Sequence, residues 1–302
     1  ARIGAPEISA QAIGHLGPIL LRFGTEEQKK QHLHGMVSGE VLWCQGYSEP
    51  GAGSDLASLQ TRAEDKGDHF LVNGQKIWTT WAHHSQWIFI LVRTAPDAPR
   101  KQAGLSFLLV ELASPGITIR PIKTITGDDE FAEVFFDDVR VPHSNLVGEV
   151  NDGWRIANSL LTHERLGTAS PTVCFDALER ARRLARANGL MDDFAFCDRL
   201  AAVELDVAGL AATYSHAVSL ARAGREFGPD AAVMKIVSTE TLQRVVDLVF
   251  EAAGGEAALT ERIDTPEGPV GVAALMLQCR RATIYGGSSE IMRNIIARRV
   301  LG

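Results

Sequence analysis

The stretch His69-Phe-Leu-Val-Asn-Gly-Gln-Lys-Ile-Trp78 carries the pattern that decides the fold class of this chain. Its β-branched and aromatic residues flank Asn73-Gly74, a dipeptide that favours a two-residue turn between antiparallel strands. The stretch therefore predicts a β-hairpin. Further β-rich runs lie at 41–47, 87–94, 105–112, 116–122 and 132–141. Because no helical pattern separates these runs, the sequence predicts an antiparallel barrel or sandwich.

The hydrophobic period divides the chain into three zones, which together predict an α+β multidomain protein. Residues 1–39 have helical spacing, with Thr25 as a helix N-cap, and are expected to be the remnant of a longer helical domain. Residues 40–148 form the predicted middle β domain. Residues 149–302 are predicted to form a helical bundle, because apolar residues recur at helical spacing. A ligand is expected where the β domain meets the bundle, since clefts favour domain interfaces.

Composition and charge narrow the classes of function. The chain has 302 residues, is 45% hydrophobic and 22% charged, and has a net charge of −7 with acids and bases interspersed. This charge argues against nucleic acid as the main partner. The cysteines lack CxxC spacing and the histidine pairs lack a third ligand, so neither a disulfide framework nor a metal site is predicted, and a reducing cytoplasm is expected. No apolar run is long enough to predict a membrane span.

Three segments could carry chemistry, and each also fits a purely structural role. The loop Tyr47-Ser-Glu-Pro-Gly-Ala-Gly-Ser-Asp55 could bind a phosphate or a polar ring through its backbone N–H groups, or it could be a tight turn. Trp78-Thr-Thr-Trp81 could cover a flat aromatic ligand or form a core pair in the sheet. Glu164 lies in the first long predicted helix, where a carboxylate usually faces solvent or pairs with a neighbour.

Three motifs occur in order along nearly the whole chain: YSEPGAGSDLASL from Tyr47, NGQKIWTTWA from Asn73 and YGGSSEIMRNIIARRVLG from Tyr285. Together they resemble the acyl-CoA dehydrogenase family, and most of all its actinobacterial fatty-acid and steroid side-chain members. The resemblance implies a helical N-terminal domain, a β domain, a C-terminal four-helix bundle and FAD as cofactor. It also implies oxidation of an acyl-CoA to a trans-2-enoyl-CoA, an electron-transfer flavoprotein as acceptor, and a homo- or heterotetramer.

The same resemblance implies roles for residues of these motifs and of one glycine pair. Those that would contact the flavin ring are Tyr47, Ser48, Trp78 and Thr80. Ser54 would lie at the phosphates of FAD or CoA, and Gly254 and Gly255 would contact FAD across a subunit interface. Ser288 and Glu290 would hold the adenosine half of FAD. The substrate-binding residues would be Ser54, Arg165 and Tyr285.

The catalytic base is missing from the position where many relatives carry it. Many family members have a glutamate in the slot that Gly286 fills here, whereas a minority place the base on the first bundle helix. The matching position is Glu164, which the resemblance makes the general base for the α-proton while the hydride goes to the flavin. Hydrogen bonds from the flavin ribityl hydroxyl and from the Gly286 N–H would stabilise the enolate. Gly286 and Gly287 leave room beside the thioester for a branched or bulky acyl group.

Two departures from the family pattern bear on FAD binding. Relatives have an Arg-x-x-Phe-Gly segment that binds the FAD diphosphate of a neighbouring subunit. Here that segment is replaced by RANGLMDDFAFCDR, in which Arg186 remains. The similar sequence REFG at 225–228 lies in a later loop. The glutamine expected before Gly254 is Glu251, and an acid there disfavours phosphate. The alternatives are a non-catalytic or FAD-incomplete subunit of a heteromeric acyl-CoA dehydrogenase, whose partner supplies the arginine, and a related acyl-CoA or nitroalkane oxidase.

Overall fold

The computed structural model describes residues 10–224, 230–259 and 262–302, apart from the side chains of His163, Arg165 and Leu166. The REFG segment and the predicted substrate-binding side chain of Arg165 therefore lie outside the described residues. The chain forms two compact units, a first unit, Ala1–Glu164, and a second unit, Arg165–Gly302. The three-domain division at residues 39/40 and 148/149 stays a prediction.

The first unit begins with helices, as the sequence predicts. A π-helical segment, Gln11–Leu16, continues into α1 (Gly17–Phe23), and α2 (Glu26–Ser38) follows. Thr25 caps α2, because its hydroxyl accepts a hydrogen bond from the Gln28 N–H at 3.2 Å while the Gln28 side chain accepts one from the Thr25 N–H at 3.1 Å. This reciprocal capping box satisfies two N–H groups at the helix start, so the predicted N-cap is confirmed.

An eight-stranded sheet follows in the first unit. Its strands are β1 (Trp43–Gly46), β2 (Arg62–Asp65), β3 (His69–Thr80), β4 (Trp87–Arg93), β5 (Leu105–Glu111), β6 (Ile117–Ile122), β7 (Phe131–Pro142) and β8 (Leu146–Val147). Their order is β6-β7-β3-β2-β4-β5-β8, with β1 also paired to β4. Neighbours are antiparallel except that β4 runs parallel to β1 and β2. The short strands β2 and β8 were not predicted from the sequence.

The predicted hairpin at Asn73-Gly74 is wrong, because β3 continues through both residues. β3 pairs with β2 on one side and β7 on the other, and its register to β7 shifts between Val72 and Gly74. Gly74 has φ +149°, and a Cβ there would lie 2.6 Å from Cα of Thr61. Asn73 donates a side-chain hydrogen bond to Asp138 at 2.9 Å and accepts one from the Asp138 N–H at 3.0 Å. The dipeptide therefore makes a β-bulge, where glycine is needed for a close backbone approach.

Strand β4 shows how the sheet is buried on both faces. Side chains alternate along a strand, so Phe89 and Leu91 join one core cluster and Ile88 and Ile90 join another. The first cluster also contains Ile156, from helix α3 (Gly153–Thr168). This two-sided burial explains why the β4 sequence is apolar almost without interruption.

The second unit is helical. Its helices are α4 (Thr172–Ala187), α5 (Phe194–Arg222), α6 (Asp230–Ala253), α7 (Ala273–Cys279) and α8 (Ser289–Ile296). Of the six apolar positions that predicted α5, Leu200, Val203, Val207 and Leu210 are buried in the core, whereas Tyr214 and Val218 are half-buried. The predicted α+β fold class, with a β-sheet middle region and a helical C-terminal region, is confirmed.

Candidate active site

The loop after β1 folds back on itself in a tight turn. Glu49 and Ala52 exchange two backbone hydrogen bonds, of 2.9 and 3.0 Å. The Ser48 carbonyl accepts a hydrogen bond from the Ile77 N–H of β3 at 3.0 Å, so the loop lies against β3. The tight-turn interpretation is therefore right, and it is compatible with ligand binding because Ser48 is half-buried and Ser54 is exposed.

A buried ion pair connects this loop to β3. Lys76 Nζ lies 2.8 Å from Glu49 Oε1, and it also donates a hydrogen bond to the Tyr47 carbonyl at 3.2 Å. Burial lowers the pKa of Lys76 to about 8, although Glu49 opposes this shift. Burial raises the pKa of Glu49, but the charge of Lys76 and several hydrogen bonds outweigh it, so that pKa is lowered. Sequence reasoning missed both residues, since no local spacing links them.

The Trp78–Trp81 segment has a strained backbone. Its register to β7 shifts between Lys76 and Thr79, and both tryptophans have left-handed backbone angles, φ +60° for Trp78 and φ +54° for Trp81. Such angles are rare for bulky residues and concentrate at functional sites. Trp78 is 57% exposed and Trp81 is 46% exposed, so the core-pair interpretation is wrong. Thr80, which follows the bulge, is half-buried.

Glu164 lies on α3, close to Tyr47 of the same unit. One of its carboxylate oxygens is shielded from solvent and the residue as a whole is half-buried, so Glu164 is not fully solvated, and its role as base or as a paired carboxylate stays a prediction. The Tyr47 ring is 5% exposed and packs edge-on against Phe89 and Phe107, at centroid distances of 6.0 and 6.3 Å. Burial, and after it the charge of Glu164, raises the pKa of Tyr47 well above its ordinary value. The Tyr47 hydroxyl has no hydrogen-bond partner among the described residues.

The second unit places the Tyr285–Glu290 residues at the start of α8. Gly286 and Gly287 have φ +63° and +92°, which glycine adopts without strain. Ser288 is the N-cap of α8, where its hydroxyl accepts a hydrogen bond from the Ile291 N–H at 3.4 Å. Glu290 is exposed in the first helical turn, and its own backbone N–H and Ser288 lower its pKa. Tyr285 is also exposed, so this turn presents polar groups and an aromatic ring together.

Gly254 and Gly255 lie in a separate groove of the second unit. The groove has a volume of about 600 Å³, and its lining includes the acidic residues Glu251, Glu256 and Asp264. Glu251 forms an ion pair with Arg199. Among the described residues, the lining contains three acids and no basic residue.

Arg186, the arginine that remains from the family segment, is already engaged within the second unit. It forms ion pairs with Glu267 at 2.7 Å and with Glu179 at 3.3 Å. Its pKa is raised, first by the hydrogen bond to Glu267. Binding a phosphate through Arg186 would require these contacts to break.

The described residues contain neither a candidate metal site nor a candidate membrane helix. No group of three or more His, Cys, Asp or Glu side chains there could hold a metal ion. None of the helices in the same residues combines the length and the apolar character that crossing a membrane demands.

Comparisons with known proteins assign both halves of this chain to one family. Residues 44–139 match the acyl-CoA dehydrogenase middle domain, and residues 151–301 match the acyl-CoA dehydrogenase C-terminal domain. Acyl-CoA dehydrogenase IpdE1 of Mycobacterium tuberculosis is 44% identical over 292 residues, which cover 95% of this chain and 73% of the relative. A solved structure described as Tcur3481-Tcur3483 steroid ACAD has 33% identity and a TM-score of 0.89, covering 97% of this chain and 76% of that one. The ChsE4-ChsE5 complex from Mycobacterium tuberculosis has 32% identity and a TM-score of 0.85, covering 99% and 78%.

The chain therefore belongs to the acyl-CoA dehydrogenase family. It is an oxidoreductase that acts on CH–CH groups in lipid metabolism, and FAD is its cofactor. The predicted family, enzyme class and cofactor are thus confirmed. The residue roles that the resemblance implied stay predictions.

The residues present fit one part of FAD better than another. In the first unit, the exposed indole of Trp78 lies on a strained bulge, beside a loop of small residues. A flat ring could pack against this indole. Aromatic side chains and small polar groups of this kind suit the flavin ring. The groove at Gly254-Gly255 suits a diphosphate less well, because Glu256 and Asp264 in its lining would repel a like charge while Glu251 is paired with Arg199.

Proposed function

We propose that this chain is an FAD-dependent acyl-CoA dehydrogenase that converts an acyl-CoA thioester to a trans-2-enoyl-CoA with Glu164 as the general base. The observation that supports this most is the position of Glu164: one carboxylate oxygen is shielded from solvent and the charge acts on buried Tyr47. Abstraction of a proton next to a carbonyl requires a carboxylate base that is partly shielded from water. Bound FAD supplies the acceptor for the β-hydride.

The proposed roles divide between the two units. In the first unit, Tyr47, Ser48, Trp78 and Thr80 hold the flavin ring, while Ser54 contacts a phosphate. In the second unit, Ser288 and Glu290 hold the adenosine half of FAD. The Gly286 N–H donates to the thioester oxygen and stabilises the enolate. Arg165 and Tyr285 contact the substrate.

The proposed substrate carries a branched or bulky acyl group. Gly286 and Gly287 have no side chain that would occupy space beside the thioester, where many relatives carry a glutamate. The steroid ACAD named above, at 33% identity, makes a steroid-bearing acyl-CoA a suitable member of the test panel. An electron-transfer flavoprotein is the proposed acceptor. The free state of Cys44, Cys174, Cys197 and Cys279 supports the proposed cytoplasmic location.

Anaerobic absorption spectroscopy tests this function. The purified chain is expected to show a flavin spectrum that bleaches with one member of an acyl-CoA panel. E164Q should keep the flavin spectrum but lose at least about 100-fold in bleaching rate, because general-base catalysis contributes that much or more. E149Q is the matched control, since Glu149 is an exposed carboxylate just before α3. Bleaching of E164Q at the wild-type rate would contradict the proposal.

A second candidate function is an FAD-incomplete subunit of a heteromeric enzyme. The acidic groove at Gly254-Gly255 and the engaged Arg186 favour it, because neither is ready to receive a diphosphate. Two of the similar solved structures carry two chain names each, Tcur3481-Tcur3483 and ChsE4-ChsE5. A partner chain would then supply the missing arginine.

The ratio of FAD to chains separates the two candidates. A homotetramer with complete sites should bind one FAD per chain, whereas the second candidate binds FAD tightly only when a partner chain is present. Native mass spectrometry of the coloured species gives both the subunits and the FAD count. Oxygen consumption by the reduced protein tests the remaining alternative, since rapid reoxidation by oxygen would indicate an oxidase.

A further inference from the structure

The Glu49–Lys76 ion pair is shielded almost completely from solvent. Lys76 is fully buried and Glu49 is 8% exposed. Both oxygens of the Glu49 carboxylate are also bound to backbone, because Oε2 accepts the Gln60 N–H at 2.6 Å and Oε1 accepts the Thr61 N–H at 2.9 Å. Together with the bond from Lys76 to the Tyr47 carbonyl, these contacts join three separate pieces of backbone at one point.

The joined pieces are those to which the proposed function assigns the flavin ring. Tyr47 and Ser48 precede Glu49 directly. Ile77 follows Lys76, and its N–H donates to the Ser48 carbonyl at 3.0 Å. Trp78, with its left-handed backbone, comes next. The ion pair thus joins the loop to β3 just before the strained bulge. The neighbouring Ser48–Ile77 hydrogen bond joins the same two segments.

General energetics argue that stability alone does not explain this pair. A buried ion pair loses much of its Coulombic gain to desolvation, so replacing both partners with uncharged residues is often neutral. Removing only one partner leaves a buried charge without compensation and is strongly destabilising. A strained backbone conformation, in contrast, persists only where its surroundings hold it. The pair supplies such a hold beside Trp78.

We propose that Glu49 and Lys76 are positioning residues, which fix the Tyr47-Ser48 backbone against the Trp78 bulge in the geometry that receives the flavin ring. This inference rests on the proposed function for the identity of the bound group. Neither side chain needs to touch the flavin or the substrate, because the effect passes through the Tyr47 carbonyl and the Ile77 N–H.

The test compares K76M, E49Q and the double variant E49Q/K76M. Each single variant leaves one buried partner uncompensated and is expected to unfold more easily. The double variant removes both charges and should recover most of the lost stability. If the pair positions the loop, the double variant should still bind FAD at least about tenfold more weakly than wild type, with an altered flavin absorption spectrum. K101M is the matched control, because Lys101 forms an exposed ion pair with Asp55 of the same loop at 2.9 Å.

Hydrogen exchange in the FAD-free protein provides a readout that does not depend on the enzyme's activity. The amides of Gln60, Thr61 and Ile77 should exchange faster in E49Q/K76M than in wild type and K101M. A double variant with wild-type exchange, FAD affinity and flavin spectrum would overturn the inference. A wild-type protein that binds FAD, but whose flavin is bleached by no acyl-CoA, would instead contradict the proposed function. In that case the hydrogen-exchange and FAD-binding comparisons would still decide the role of the ion pair.

Discussion

The phenol of Tyr47 is within electrostatic range of Glu164: burial first, and then the charge of this carboxylate, raises the Tyr47 pKa well above its ordinary value. The two residues lie far apart in the sequence, on the loop after β1 and on α3. Both belong to the first unit. A substitution at Tyr47 therefore probes the surroundings of the candidate base without removing it.

Y47F is expected to separate stability from catalysis. The Tyr47 hydroxyl is buried and has no hydrogen-bond partner among the described residues, so its removal should leave the free energy of unfolding within about 1 kcal/mol of wild type, or raise it. The rate of flavin bleaching by acyl-CoA should fall about tenfold, because Glu164 loses a nearby dipole in a low-dielectric site. Urea unfolding and anaerobic stopped-flow measure the two quantities. Y214F, at a half-buried tyrosine of α5, should change neither rate nor spectrum; an equal loss in Y214F contradicts the prediction.

W78G should weaken FAD binding without a matching loss of stability. Glycine relieves the left-handed strain at Trp78, worth about 1–3 kcal/mol, and this offsets the lost contact with the Phe131 ring at 5.9 Å. FAD affinity should fall at least about tenfold, because the ring that is proposed to cover the flavin is gone. W81G has the same backbone relief and no proposed cofactor contact, so it should bind FAD as wild type does. FAD titration and thermal unfolding are measured for both variants, and similar affinity losses in the two would count against the role of Trp78.

Raising the pH should move stability and FAD binding in opposite directions through Lys76. Burial lowers the pKa of Lys76 from 10.5 to about 8 in the folded chain. Between these two values the unfolded chain holds more protons on this lysine, so its contribution to the free energy of unfolding rises with pH. In the same window the folded lysine becomes neutral and its charge-assisted bond to Glu49 weakens, so FAD affinity should fall.

Comparison with K76M isolates this contribution from other groups that titrate in the same range. Urea unfolding and FAD titration from about pH 7 to about pH 10 give the two profiles. The wild-type profiles should differ from those of K76M in the directions stated. Parallel profiles for the two proteins would show that Lys76 does not titrate in this window.

G74A should be much more damaging than G67A, although both glycines have positive φ. G67A adds a Cβ with nothing within 4 Å. It should therefore lower the free energy of unfolding only by the strain of a left-handed alanine, about 1 kcal/mol. G74A adds a Cβ at 2.5 Å from Thr61 Oγ1 and 2.6 Å from its Cα, which forces backbone movement and should cost about 1–3 kcal/mol more. Urea unfolding of both variants checks the order; equal losses would mean that the close approach at Gly74 is not maintained.

The sequence predicted the features that depend on neighbouring residues. Thr25 was expected as an N-cap, and its capping partner Gln28 is three residues away. The apolar spacing of α5 predicted its buried face. Asn73-Gly74 misled because a turn and a bulge need the same backbone freedom, and only the pairing of β3 with β7 decides between them.

Features that depend on distant residues could not be predicted in this way. Nothing in the spacing of Glu49 and Lys76 indicates an ion pair, since the partners meet only when the loop packs on β3. The half-exposed tryptophans follow from the register shift and not from their residue types. Family resemblance pointed to Glu164, whereas its shielding and its effect on Tyr47 required the fold. The role of Arg165 remains a prediction, because its side chain is not described.

β3 and β7 pair although they are far apart in the sequence, so β3 is synthesised well before the strand that it pairs with. His69 lies opposite Pro142 and Thr80 lies opposite Phe131. The ribosome releases β3 well before β7, so a growing chain carries β3 with one open edge and no interior in which to bury Lys76. The contacts of the Tyr47–Asp55 loop with β3, including the buried Glu49–Lys76 pair, should therefore form late, after most of the first unit has emerged. A nascent chain stopped just before Phe131 would contain the whole loop and the whole of β3, and would still lack the strand that closes the β7 edge of β3.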